Sequence, residues 1–135
     1  MKHFLLAIAL LLAVPAFAGT VAPTTQTITL AWDSNTAVVA GTTPLGVLPW
    51  AKGTVVSCTY YTGGSSASFT AQVRIGSTPV TGCDAMAVSS PSPTTVAATA
   101  NNTFAAGSTM SVVVSGVGNA PNTAIVQINI QATAN

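Results

Sequence analysis

Charge is nearly absent from this chain of 135 residues, which holds three lysines or arginines, two aspartates and no glutamate. The only histidine is His3, inside an apolar leader, so the remainder of the chain contains none. A Ser–His–Asp or Cys–His arrangement therefore cannot be built from the residues that follow the leader. General acid–base catalysis also lacks its usual side chains. We therefore expect a protein that is not an enzyme and has no cofactor.

Basic patches are lacking as well. After residue 18 the charged residues are two positive and two negative, Asp33, Lys52, Arg74 and Asp84, so the net charge of that part is zero. No cluster there would neutralise a phosphate backbone, and we expect no nucleic-acid partner. The aspartates could act as a glycosidase pair only if the fold brought them together. Two cysteines without histidine cannot complete a zinc site, so no metal site is predicted, although calcium bound by Asp33, Asp84 and backbone carbonyls stays open as an alternative.

Long hydrophobic runs are confined to the N terminus. A polar start precedes an apolar run over residues 4–14, Pro15 ends it, and Ala-Phe-Ala at 16–18 fits an A-x-A cleavage site. The run is shorter than the ~20 residues that span a bilayer, and Gly19 follows where a lipoprotein would carry cysteine. The sequence predicts a signal peptide over 1–18 and a secreted, periplasmic or extracellular protein with no membrane association after cleavage. The alternative is that the segment is retained as an anchor.

Alternation of apolar and polar residues characterises the rest of the chain. In SFTAQVRI, the residues Phe69, Ala71, Val73 and Ile75 share one face, and polar residues take the other. TITLAW, MSVVVS and AIVQINIQ show the same period of two, with the last placing Val126, Ile128 and Ile130 together. This period, with one apolar and one polar face, is typical of half-buried antiparallel strands.

Turn-forming residues separate these segments at roughly ten-residue spacing, as at Gly76-Ser77-Thr78-Pro79, Gly107-Ser108 and Gly116-Val117-Gly118. Short strands at such spacing predict an all-β fold. We expect a single antiparallel β-sandwich of jelly-roll or Ig-like type with about eight strands. It should span residues 26–133, after a flexible leading segment over 19–25.

The two cysteines, Cys58 and Cys83, admit only one intramolecular pairing. Cysteines in even number usually pair in an exported protein, so the predicted secretion favours a Cys58–Cys83 disulfide. Cys58 is in phase with Val56, and we expect it to point toward the core. Closing a loop of about 25 residues should stabilise the fold by about 3.5 kcal/mol. Asp84 is then expected to be a turn or surface residue.

Aromatic residues are the candidates for binding. Trp32 shares the apolar face of its strand, and Tyr60 lies in phase with Cys58, so both are expected in the core. Tyr61 then faces solvent, and Trp50 follows Pro49 at a strand end. Exposed Trp50 and Tyr61 could stack on sugar rings or contact a protein partner. Ordinary half-buried packing is the alternative for both residues.

Two short motifs carry a resemblance that covers nearly all of the chain after the leader. The first is a W-x-A-x-x-G-T-V-like segment that leads into a strand, and the second is an N-T-x-A-A-G turn with serine in place of the usual aspartate. Their residues are Trp50, Ala51, Gly53, Thr54, Val55 and Asn102, Thr103, Ala105, Ala106, Gly107, Ser108. The chain thereby resembles small β-sandwich domains of tailed-phage virion proteins, found in tail fibres and head appendages. The resemblance implies a structural or adhesive subunit for assembly or host attachment, with copies of itself or other structural proteins as partners.

A second resemblance covers the segment TITLAWDSNTAVVAG, residues 27–41. It is similar to the opening of bacterial fibronectin type III modules, although Gly41 is followed here by Thr-Thr-Pro rather than by Tyr. This resemblance implies the alternative function, a secreted carbohydrate- or surface-binding module that uses the exposed aromatics. A surface glycan is the partner in that case.

Overall fold

The computed structural model describes residues 22–32, 38–47, 51–63, 67–89, 92–119 and 123–134, and their only regular elements are β-strands. The strands are β1 Thr24–Trp32, β2 Gly41–Val47, β3 Ala51–Thr62, β4 Ser68–Ile75, β5 Thr78–Pro79, β6 Met86–Val88, β7 Thr94–Ala97, β8 Thr103–Phe104, β9 Thr109–Gly118 and β10 Ala124–Ala134. The all-β prediction is confirmed. Ten strands occur in the described residues, rather than about eight, because β5, β6 and β8 are pieces of two or three residues.

The strands form two antiparallel sheets that pack face to face. Sheet A has the order β1-β10-β3-β7, with β8 also paired to β3. Sheet B has the order β2-β9-β4-β5, with β6 also paired to β4. The predicted sandwich is therefore confirmed. Its first strand begins at Thr24, so the last two residues of the segment expected to be flexible belong to β1.

The core lies between the sheets and consists of the apolar faces that alternation predicts. On β4 the residues Phe69, Ala71 and Val73 are buried while their neighbours are half-exposed. On β10, in the opposite sheet, Ile128 and Ile130 are buried in the same way. Burial of one such aliphatic or aromatic side chain stabilises a fold by about 1.5–3 kcal/mol. The hydrophobic effect thus explains why a chain with so few charges folds as two stacked sheets.

A β-bulge interrupts the alternation of β3. The pairing of β3 with β10 shifts register between Asn129 and Ile130, so β3 carries one residue more than its partner at this point. Val55 and Cys58 are fully buried, whereas Val56 is 42% exposed. The prediction that Cys58 points into the core is confirmed, but the assignment of Val56 to the same face is wrong. The extra residue reverses the phase, and strict alternation cannot anticipate it.

A second irregularity lies in β9, where the sequence predicts a turn at Gly116-Val117-Gly118. That prediction is wrong, because the strand continues through these residues to Gly118. The pairing with β4 shifts register between Ser68 and Thr70, and Gly116 has a φ of +57°. Glycine adopts positive φ without steric penalty, which suits it to a bulge as well as to a turn.

Candidate functional site

A disulfide between Cys58 and Cys83 joins the two sheets. Cys58 lies on β3 of sheet A, Cys83 lies between β5 and β6 of sheet B, and their Cα atoms are 6.0 Å apart. Both residues are fully buried in the core. The predicted pairing is confirmed. Because each sulfur is bonded to the other and enclosed, neither is a thiolate nucleophile or a metal ligand.

Backbone hydrogen bonds hold the Cys83 loop against β4. The Cys83 amide donates to the Val80 carbonyl at 2.9 Å, and the Cys83 carbonyl accepts from the Val73 amide at 2.8 Å. The Val80 amide in turn donates to the Val73 carbonyl at 2.9 Å. The loop is therefore fixed to sheet B by its backbone, and the disulfide links the same loop covalently to sheet A.

Gly82 and Asp84 shape the turn that presents Cys83. Gly82 has a φ of +92°, and a Cβ at this position would collide with the Ala97 carbonyl oxygen at the end of β7. Asp84 accepts a hydrogen bond from the Gly82 amide at 3.2 Å through Oδ1. The expected role of Asp84 as a turn residue is thus what its contacts show. Asp33, its partner in the glycosidase and calcium alternatives, lies outside the described residues.

Uncharged hydrogen-bonding side chains cover the outer face of sheet A, which we call the polar face. Its members come from four adjacent strands: Thr25, Thr27, Thr29, Gln127, Asn129, Gln131, Ser57, Thr59 and Thr95. None of them carries a formal charge. Lys52 lies opposite Thr133 at one end of this side of the sheet, so a ligand that contacts only the polar face would be recognised by hydrogen bonds and surface shape rather than by charge.

Cross-strand hydrogen bonds order the side chains of the polar face. Thr27 on β1 donates through Oγ1 to Asn129 Oδ1 on β10 at 2.8 Å. Asn129 Nδ2 donates to Ser57 Oγ on β3 at 3.0 Å, which extends the row across three strands. Thr59 and Thr95 join β3 to β7 by a bond of 2.8 Å between their Oγ1 atoms. These bonds restrict the rotamers of the side chains that form them.

Tyr61 stands at one end of the polar face, where it is opposite Ile125 on β10. It lies on the outer side of sheet A, as predicted, but it is half-buried instead of open to solvent. Tyr60 is also half-buried and packs against the core, as expected. Trp50, the other candidate for binding, lies outside the described residues.

The free edge of β1 differs from the other sheet edges. β1 pairs with β10 over nine residues in unbroken register, and it contains no charged residue and no proline. No other described strand pairs with its second edge. At the two edges of sheet B, β2 contains Pro44 and a register shift, and β5 has two residues and ends in Pro79. At the other edge of sheet A, β7 has only four residues. Proline, bulges and short length are the devices that block edge-to-edge pairing, and β1 lacks all of them.

The inward face of β1 is also incompletely covered. Ile28, Leu30 and Trp32 are half-buried, whereas the residues opposite Ile28 and Leu30 on β10, Ile128 and Val126, are fully buried. Trp32 meets Phe69 of sheet B edge to face, with ring centroids 6.0 Å apart. Apolar surface therefore borders the free edge, and sequence alternation alone could not show that β1 is an edge strand.

A shallow depression lies beside β8, lined by Lys52 and by residues 103–106. Lys52 is the one charged residue of that lining, and no carboxylate, histidine or thiol accompanies it there. The described residues contain no group of three or more His, Cys, Asp or Glu that could hold a metal ion. They also contain no helix long and apolar enough to cross a membrane.

The described surface thus offers a polar face of uncharged side chains and a strand edge that no other described strand pairs with. The phage-domain and fibronectin resemblances stay predictions, because no known protein that matches the chain tests them. No protein-family model, no curated protein and no solved structure matches this chain.

Proposed function

We propose that the chain is an exported, non-enzymatic structural or adhesive β-sandwich subunit, which assembles a virion or extracellular appendage or attaches it to a surface. The observation that carries this proposal is the polar face, a set of uncharged and partly hydrogen-bonded side chains spanning four strands of one sheet. Hydrogen bonds such as Asn129 Nδ2 to Ser57 Oγ hold its side chains in place. A surface ordered before contact loses little conformational entropy on binding, as suits repeated assembly or adhesion.

The disulfide supports the exported part of the proposal. Structural disulfides persist in oxidising compartments, such as the periplasm and the extracellular space, and are rare in the cytosol. The Cys58–Cys83 bond is fully buried and joins the two sheets. It fits the signal peptide proposed over residues 1–18, and it would stiffen a subunit that has few ion pairs to stabilise it.

The placement of the charged residues supports the non-enzymatic part. Arg74 donates through Nε to Gln72 Oε1 at 2.6 Å, and Asp84 accepts from the Gly82 amide. Gln72 donates in turn to the Asp84 backbone carbonyl at 3.0 Å. These polar groups stabilise the outer side of sheet B and its adjoining turn, and Lys52 stands apart beside β8.

Location in the native particle tests the proposal. Antibodies raised against the purified protein should detect it in intact virions or detached surface appendages from the source that encodes it, in constant ratio to the other structural proteins. The N terminus of that material should be Gly19. Recovery solely as a free protein in the medium or periplasm would contradict the proposal, as would an intact leader on a cytosolic product.

Glycan binding is the second candidate function, and the position of Tyr61 favours it. An aromatic ring at the border of a hydrogen-bonding, uncharged face is the arrangement that can stack on a sugar ring while side-chain amides and hydroxyls bind its hydroxyl groups. A glycan array would test this, with Tyr61→Ala and Trp50→Ala expected to abolish binding and Thr25→Ala, on β1 at the opposite end of the polar face, expected to retain most of it. Binding unchanged in both aromatic variants would exclude the aromatic platform.

A further inference from the structure

We infer that β1 binds β1 of a second copy of this chain, antiparallel, so that the two sheets A become one continuous sheet. The inference deepens the proposed function and rests on it for one point, that assembly partners include identical copies. Its structural basis is separate, because it depends on the backbone of one nine-residue edge strand and on the side chains beside it.

The hydrogen-bonding phase of sheet A shows which groups of β1 face outward. The Gly63 amide donates to the Thr123 carbonyl at 2.7 Å, which makes these opposed residues a hydrogen-bonded pair. Hydrogen-bonded and non-bonded pairs alternate along antiparallel strands. Odd-numbered residues of β10 therefore bond to β3, and even-numbered residues of β10 bond to β1. The bond from the Ala98 amide to the Val56 carbonyl, on the other side of β3, fits the same phase.

The residues of β1 that point their backbone groups away from β10 are consequently Thr25, Thr27, Thr29 and Ala31. An antiparallel pairing about a two-fold axis at Ile28 uses all of them. Thr27 then exchanges hydrogen bonds with the partner's Thr29, and Thr25 exchanges them with the partner's Ala31. About eight hydrogen bonds form, two for each bonded pair. This register satisfies every outward amide and carbonyl between Thr25 and Ala31, and a shift would leave some of them unpaired.

Side chains fit this register on both faces. On the polar face Thr27 lies across from the partner's Thr29, and threonine pairs of this kind stabilise adjacent strands. On the inward face Ile28 lies across from the partner's Ile28, so each copy covers apolar surface that is half-exposed in the isolated sandwich. The row from Thr27 through Asn129 to Ser57 would continue into a second sheet.

An identical copy is the occupant that the edge itself favours. β1 carries no charge, so two copies meet without repulsion and without a need for a complementary partner. Pairing with a different edge of a second copy is less suitable, because β2 carries Pro44 and a register shift and β7 has only four residues. β1 therefore meets its best-matched partner in another β1.

Paired charge substitutions test both the contact and its register. The exported protein is purified and its dissociation constant is measured by light scattering over a concentration series. Thr27→Lys with Thr29→Lys places lysines opposite lysines across the axis, and we expect it to weaken association at least about tenfold. Thr27→Lys with Thr29→Glu places each lysine opposite a glutamate, and we expect it to restore association. Thr95→Lys, on the same face but at β7, should leave the dissociation constant unchanged.

Different results would overturn the β1–β1 contact and its register. A wild-type protein that stays monomeric at millimolar concentration, or a double-lysine variant that associates as well as wild type, would overturn the inference. Failure of the lysine–glutamate variant to associate would overturn the register centred on Ile28. Circular dichroism of each variant should match wild type, since the substituted side chains are exposed.

A covalent trap provides the second measurement. Opposed non-bonded residues of antiparallel strands have Cα atoms about 4.5 Å apart, within the range that a disulfide spans. Ile28→Cys should therefore form a cross-linked dimer on mild oxidation, while Thr95→Cys should not. A monomeric Ile28→Cys protein that still appears in virions or appendages would refute the edge contact and leave the proposed function intact. A cross-linked dimer that is absent from any particle would do the reverse.

Discussion

Reduction of the Cys58–Cys83 bond should remove a large part of the stability of the sandwich. The bond closes a loop of 25 residues in sequence separation, and the chain-entropy relation assigns such a loop about 3.5 kcal/mol at room temperature. No side chain is deleted by reduction, so no large cavity forms. For a domain of this size we expect the melting temperature to fall by about 10–20 °C.

Urea unfolding of the oxidised and reduced protein measures this difference directly. The variant with Cys58→Ala and Cys83→Ala is the matched control, because its unfolding should not respond to reductant. Hydrogen exchange should also rise locally at the amides of Val73 and Cys83, because the Val73 amide donates to the Cys83 carbonyl and the Cys83 amide donates to the Val80 carbonyl. A stability difference below about 1 kcal/mol would refute the reasoning. It would mean that sheet-on-sheet packing holds the loop in place without the bond, or that the reduced chain retains its own compact structure.

Three further predictions concern the bulge, the turn and the polar face. Val55→Thr should destabilise the fold by about 1–3 kcal/mol, because it buries a hydroxyl. Val56→Thr should change the unfolding free energy by less than about 0.5 kcal/mol, because Val56 is exposed. Equal effects of the two substitutions in urea titrations would contradict the bulge. Gly76→Ala should lower the free energy of unfolding by about 1–2 kcal/mol, because alanine is strained at the positive φ of this position. Gly82→Ala should lower it clearly more, because the added Cβ would also collide with a backbone carbonyl. Thermal melts of the two variants show which one is less stable. Asn129→Ala should cost about 1 kcal/mol by losing two side-chain hydrogen bonds, and no loss would show that water replaces them fully.

Alternation predicted the sandwich correctly because the hydrophobic effect acts on each strand separately. Phe69, Ala71 and Val73 are buried on β4 as their period of two requires. The disulfide was predictable for a different reason, since two cysteines allow only one intramolecular pair. Both inferences depend on local pattern or simple counting, and neither needs the order of the strands.

Features that depend on register or on strand order were not predictable. The exposure of Val56 follows from one extra residue opposite β10, and the continuation of β9 through Gly116 follows from a bulge opposite β4. The sequence around each position is equally compatible with a regular strand or a turn. A glycine permits either outcome, and the paired strand decides between them.

The polar face and the free edge of β1 are even less predictable from the sequence. Thr27, Asn129 and Ser57 are separated by 102 and 72 positions along the chain, yet they form one hydrogen-bonded row. Their shared face depends on the order β1-β10-β3. The open edge of β1 is likewise a property of topology, because the absence of proline and charge from the nine residues Thr24–Trp32 is equally compatible with a strand in the middle of a sheet.

Amide hydrogen exchange along β1, read residue by residue by NMR at two protein concentrations, tests the central claim most directly. In dilute solution the amides of Gln26, Ile28 and Leu30 should be protected by β10, while those of Thr27 and Thr29 should exchange freely. At high concentration Thr27 and Thr29 should gain protection, and Gln26 should change little. Protection of Thr27 and Thr29 that is already complete in a dilute sample shown to be monomeric by light scattering, or that never rises above the level of that monomeric sample, would contradict the account of β1 as the edge through which this sandwich assembles.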